Sequence, residues 1–266
     1  MICPNCKFEL IDAETECPRC GIIFSKYRPP ERKVVPEEKR PLEGPEVVPA
    51  ERNPIKEILF DVELDTNPFY FGGRVILFII LLIYGCKFIL TPIESSTIYS
   101  GFWHLVNLPF HEAGHIIFRP FGRFMTSLGG SLGQFLMPLV CIGVFLIATK
   151  DAFAGSVALW WFGENFIDLA PYINDARALV LPLLGGNTGR TSPYGFHDWE
   201  FILKESGLLR YDHALAQVSH KTGIMLLLLA YLWGGYILFK QFKNLDLRAA
   251  HDHRPLLISL TIGIFL

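Results

Sequence analysis

Two long apolar runs constrain this chain more than any other feature. From Val75 to Leu90 every residue except Lys87 is apolar, and from Phe135 to Ala148 no residue is charged. With their flanks, each reaches the roughly 17–25 residues that a helix needs to cross a bilayer. Further stretches of this kind lie at 152–184 and 213–239, and a shorter one closes the chain at 255–266. With 51% hydrophobic and only 19% charged residues over 266 positions, this is the composition of a membrane protein. The expected fold class is therefore all-α and polytopic, with about five to six apolar helices over residues 57–266. A formal net charge of −2 and no basic stripe in the apolar part argue against a nucleic-acid partner. The opening Met1-Ile2-Cys3-Pro4 has neither the basic start nor the apolar core of a signal peptide. The amino terminus is expected to stay in the cytoplasm.

Ahead of these runs, Cys3-x-x-Cys6 and Cys17-x-x-Cys20 form two knuckles separated by ten residues. That spacing lets four thiolates close a tetrahedral zinc site around a hairpin. Two disulfides would be the alternative in an exported stub, but no export signal precedes these cysteines. Residues 1–26 thus read as a small zinc ribbon in which four cysteines hold a structural Zn2+. The natural role of so small a module is contact with a cytoplasmic protein partner. Residues 27–56 are charged and rich in proline, too poor in bulky apolar residues to fold, and read as an extended linker.

The chemistry concentrates at His111-Glu112-Ala113-Gly114-His115. On a helix, histidines four apart share a face and can offer two imidazole nitrogens to one metal, with the glutamate beside them as general base. Two histidines and a glutamate in the mostly apolar stretch 102–121 would be costly in lipid unless paired or bound to something. Pro109 precedes the motif and is expected to start or kink the metal helix. His104, seven residues before His111, then falls across that break and reads as a supporting or interfacial group.

The motif, followed by Phe121-Gly122, resembles the corresponding stretch of the site-2 protease family of intramembrane zinc metalloproteases. The resemblance implies hydrolysis of peptide bonds in a membrane-embedded or membrane-proximal protein substrate, with Glu112 catalytic and His111 and His115 on a catalytic Zn2+. In that family an aspartate from a later helix completes the ligands, in an Asn-Pro-Asp-Gly pattern. Here Asn165, Asp168, Pro171 and Asp175 are present, but Ala176 stands where glycine is expected and the asparagine-to-proline spacing is longer. The chain looks like a divergent member, matching over roughly residues 102–186.

Asn165, Asp168, Tyr172 and Asp175 fall at helical spacing in an apolar run, a polar stripe that should face a cavity or a partner. Pairing of one of these aspartates with Arg177 would be a purely structural use. For the third zinc ligand, Asp168 is the first choice because it sits deepest in the stripe. Asp175 better matches the family order of proline then aspartate. His197, after the glycine-rich stretch 185–189, is the outsider, with Asp198 placed to cap a helix over 199–208. Between the motifs, the small residues of 127–134 suit close helix packing, or, through the resemblance alone, a strand for an extended substrate.

The expected location is an integral membrane site, a bacterial inner membrane, with lipid bilayer and membrane-protein substrate as partners. Arg119 and Arg123 fit a cytoplasmic position after the second span, whereas Lys240, Lys243, Arg248 and Arg254 then break the positive-inside rule. The competing function is a non-catalytic zinc-binding membrane adaptor. Glu112 speaks against it, because a structural site needs ligands but not that glutamate.

Overall fold

The computed structural model describes residues 2–9, 15–27, 53–62, 67–95, 101–184, 186–191 and 197–252, with side chains to 245. Most of the expected linker, Gly185 and the closing run at 255–266 lie outside these residues. The chain divides into two units, Met1–Ala50 and Glu51–Leu266.

In the first unit the two knuckles repeat one backbone pattern. The amide of Cys3 donates to the Phe8 carbonyl and that of Lys7 to the Cys3 carbonyl, at 2.9 and 3.0 Å. Cys17 with Ile22, and Gly21 with Cys17, do the same at 2.9 and 2.8 Å. Lys7 and Gly21 occupy the equivalent left-handed position, with φ of 61° and 70°. Isolated antiparallel bridges, Ile2 with Glu9 and Glu16 with Ile23, close each knuckle.

The second unit is helical. Helices α1 (Pro54–Phe60) and α2 (Pro68–Leu90) each start at a proline, where the missing N–H costs nothing, and are capped by Asn53 and Asn67. Next come α3 (Phe102–Phe118), α4 (Arg123–Gly143) running into a π-helical turn at Val144–Ala148, and α5 (Ala152–Asn174). The short α6 (Asp198–Glu205) and the long α7 (Asp212–Asp252) complete the order. Among the described residues the only β pairings are isolated bridges.

Three segments are long and apolar enough to cross a membrane, namely Pro68–Leu90, Arg123–Ala148 and Leu209–Leu245. Their outward faces are apolar, with Ile76, Ile79 and Ile83 on α2, Leu139 and Val140 on α4, and Leu228 and Leu232 on α7 all exposed. The buried groups of α5 include Glu164, Asn165 and Asp168. Apolar outside and polar inside is the arrangement expected of an integral membrane protein. Two further helices expected to be apolar fall short by that measure. At 17 residues α3 is short, and it carries His104, Asn107 and the motif; α5 carries the polar stripe.

Helix α5 is the buried centre of the bundle. It packs most extensively on α7, where Gly163 and Gly223 let the backbones touch: a Cβ on Gly223 would stand 2.6 Å from the Gly163 carbonyl oxygen. Trp160 on α5 donates to the Tyr231 hydroxyl of α7, which donates to the Leu81 carbonyl of α2, both at 2.8 Å. Asp151 caps α5 and pairs with Arg74 of α2 at 2.8 Å. The polar face of α5 is left for α3 and α4.

One expectation changes here, and one pair of alternatives is decided. Pro109 does not begin the metal helix: α3 starts seven residues earlier at Phe102, so His104 rides on the same helix as His111. The 127–134 stretch is helix within α4, used for close packing. Gly114 of α3 lies against Gly129 and Gly133 of α4, a small-residue contact in which a Cβ on either partner would meet backbone.

Candidate metal centres

Four sulfurs held about 2.3 Å from one tetrahedral ion lie about 3.8 Å apart. In the first unit Cys3 Sγ is 3.7 Å from Cys20 Sγ, and Cys6 Sγ is 3.7 Å from Cys17 Sγ. A disulfide would need about 2.05 Å. All four cysteines are free thiols whose sulfurs group within 4.8 Å, so the cluster has the dimensions of a metal site.

The second unit builds its site from α3 upward. His111 and His115 share one face of α3, their rings 4.9 Å apart, and lie over α4 where Gly130 offers no side chain. A Cβ on Gly130 would come to 2.5 Å from His111 Nε2 and 2.6 Å from His115 Nε2. Each ring is turned by its other nitrogen. His115 Nδ1 meets the Thr126 carbonyl at 2.7 Å. A carbonyl can only accept, so Nδ1 carries the proton and Nε2 keeps its lone pair. His111 Nδ1 meets Gln134 Oε1 at 3.1 Å, with the same consequence.

Both Nε2 atoms face Asp198 Oδ2, at 3.5 Å from His111 and 3.4 Å from His115. These separations exceed a good N–H···O hydrogen bond, about 2.7–3.2 Å. They match the edges, about 3.3–3.4 Å, of a tetrahedron with ligands near 2.0–2.1 Å from its centre. His111, His115 and Asp198 therefore form a group that could hold a metal ion. Asp198 can serve as a ligand only when ionised, with both Nε2 atoms unprotonated. Glu112 lines the same cavity of about 450 Å³ and is exposed within it.

The third position is a correction to the expected order. Asp168, the first choice, lies on the cavity wall but spends its carboxylate elsewhere: Oδ2 accepts from Gln134 at 2.9 Å and Asn107 at 3.2 Å, and Oδ1 meets His104 Nδ1 at 3.0 Å. Asp175 holds the turn after α5, accepting from the amides of Val180 and Leu181 at 2.9 and 3.0 Å. Burial raises its carboxyl, and His197 with these two amides more than offsets that and lowers it. Arg177 pairs with Asp212 of α7, through two contacts at 2.7 and 2.8 Å, and not with an aspartate of the stripe.

His197 and Asp198 exchange the roles that their sequence suggests. His197 Nδ1 accepts the Glu200 amide at 3.1 Å and so caps α6, which runs from Asp198 rather than 199. Its ring also rests on Tyr172, with centroids 4.2 Å apart. Asp198, freed from capping, turns toward the histidines. The Tyr172 hydroxyl accepts the Asp198 amide and donates to Asp198 Oδ2, both at 3.1 Å, so α5 sets the position of α6. The available signal was a His-Asp pair opening a helix after a glycine-rich loop, which can fold back over α3.

No family model, curated protein or solved structure matches this chain.

Proposed function

We propose that the chain is an integral membrane zinc metalloprotease. The bilayer-embedded body comprises α2, α4 and α7 together with α3 and α5, five helices in all. The observation that supports this reading is the convergence of His111 Nε2 and His115 Nε2 on Asp198 Oδ2 at 3.4–3.5 Å, beside Glu112, in one cavity. A zinc ion held by these three groups would polarise a substrate carbonyl and acidify a water. Glu112, next in sequence to one ligand and in the same cavity, takes a proton from the attacking water and delivers it to the leaving amine. Gly130 keeps the space at the two Nε2 atoms open, and Thr126 and Gln134 hold both rings in the required tautomer. The substrate is a membrane-embedded or membrane-proximal protein, because the cavity sits among helices with apolar outer faces. The four-cysteine unit carries a structural zinc and serves contact with a cytoplasmic partner, with the amino terminus inside and a bacterial inner membrane as location.

Glu112→Gln tests the catalytic reading, since it removes the proton acceptor and leaves every metal ligand in place. Cleavage of a membrane-protein substrate by purified, reconstituted protein should fall by about 100- to 10,000-fold. Cleavage at the parent rate, with zinc retained, would reject proteolysis and favour the adaptor reading.

A further inference from the structure

We propose that Asp168 is a positioning residue that sets the orientation of His111 through Gln134. The proposal rests on His111 being a metal ligand, as argued above.

The bond directions follow from two anchors, the Trp161 indole and the Asp168 carboxylate. An indole N–H can only donate. Trp161 Nε1 therefore assigns the atom it meets at 2.8 Å as Asn107 Oδ1 and turns the Asn107 amino group the other way. That group donates to Glu164 Oε2 at 2.8 Å and to Asp168 Oδ2 at 3.2 Å. Asp168 Oδ2 also faces the Gln134 side chain at 2.9 Å. An ionised carboxylate only accepts, so the Gln134 atom there is its amino nitrogen. The Gln134 oxygen is thereby left pointing at His111 Nδ1, which must carry the proton. The lone pair of His111 falls on Nε2, toward Asp198. Reversing the Gln134 amide would set N–H against N–H and move the His111 proton to the wrong nitrogen.

Burial makes the chain of assignments stiff. Asn107, Gln134, Glu164 and Asp168 are each 3% exposed or less, so each depends mainly on these partners rather than on water. The elements are distinct as well: Asn107 and His111 lie on α3, Gln134 on α4, and Trp161, Glu164 and Asp168 on α5. Asp168 thus lets the central helix fix the tautomer of a ligand on its neighbour. A buried carboxylate on the cavity wall finds its use here without touching a metal.

The zinc dissociation constants of the full chain in detergent, measured by chelator competition, test this, with the four-cysteine site as internal control. Gln134→Glu accepts from His111 but places a carboxylate against Asp168. Asp168→Leu removes the acceptor that orients Gln134. Each should weaken the membrane-unit site by about 10- to 100-fold and leave the four-cysteine site unchanged. Asp168→Asn keeps an acceptor oxygen for the Gln134 and Asn107 amino groups, and should bind zinc nearly as tightly as the parent. Gln134→Met keeps the length but makes neither bond; it should show the same weakening and replaces any charged variant that does not fold. Gln134→Glu and Asp168→Leu variants that bind zinc as tightly as the parent, or an Asp168→Asn variant that loses as much as Asp168→Leu, would overturn the relay. A parent chain that takes up zinc only at the cysteines would instead reject the metal reading itself.

Discussion

At position 130 a single methyl group should decide whether the membrane-unit site forms. Its nearest neighbours would be the Nε2 atoms of both histidines, at 2.5 and 2.6 Å. Gly130→Ala must displace those rings, at a cost of about 1–3 kcal/mol typical of overpacking, or about 10- to 100-fold in zinc affinity. Chelator competition reads this directly, and an unchanged constant would mean that the rings swing aside freely. In the other unit, Lys7 sits at φ 61° where its counterpart is Gly21. A side chain in that conformation costs about 1 kcal/mol. Lys7→Gly should tighten zinc at the cysteines by about fivefold and Gly21→Ala weaken it by a similar factor. Equal affinities across these variants would show that the knuckle relaxes. At this scale the motif histidines and the four cysteines were legible, because their spacing alone brings them together. Asp198 was not: an aspartate before an apolar helix reads first as a cap, and only the hydrogen bond from the Glu200 amide to His197 Nδ1 shows that the histidine took that place.

Between elements, the contact of α3 with α4 is made by glycines and carries both histidines. Gly133→Ile would drive a side chain into the Phe110 carbonyl and the Gly114 backbone. Thermal stability in detergent should fall and zinc at the membrane unit should be lost with it. Leu136→Ala, on the same helix but half exposed on its outer face, should change stability by no more than about 0.5 kcal/mol. Equal effects from both would remove the packing argument. The turn after α5 behaves differently, because Asp175 is held below its ordinary value by His197 and two amides. A lowered carboxyl stabilises the fold above its unfolded value, about 3.9, and loses that contribution as pH falls through the folded value. Asp175→Asn should therefore be destabilising at neutral pH and approach the parent in acid below about pH 4. A gap between parent and variant that stays constant across that range would contradict this. Helix positions were largely readable from apolar runs. Continuity through Pro109 was not, since proline removes one ladder bond but the packing of α3 on α4 carries the helix past it.

Over the whole molecule, the polar groups that share a stripe in the sequence are divided among three tasks. Asp168 orients, Asp175 closes a turn, and Tyr172 holds Asp198 in place. A single helix face therefore looked like a ligand set, although the carboxylate that faces both histidines lies on a separate helix. A contact between helices far apart in the chain leaves no periodic trace in the residues, which is why distance in the chain misled the choice. Zinc content of the full purified chain tests the account at its centre. The parent should hold about two zinc ions, Asp198→Ala should hold only the one at the cysteines, and Asp175→Ala should keep both. Full zinc in Asp198→Ala, together with loss of the membrane-unit zinc in Asp175→Ala, would contradict it.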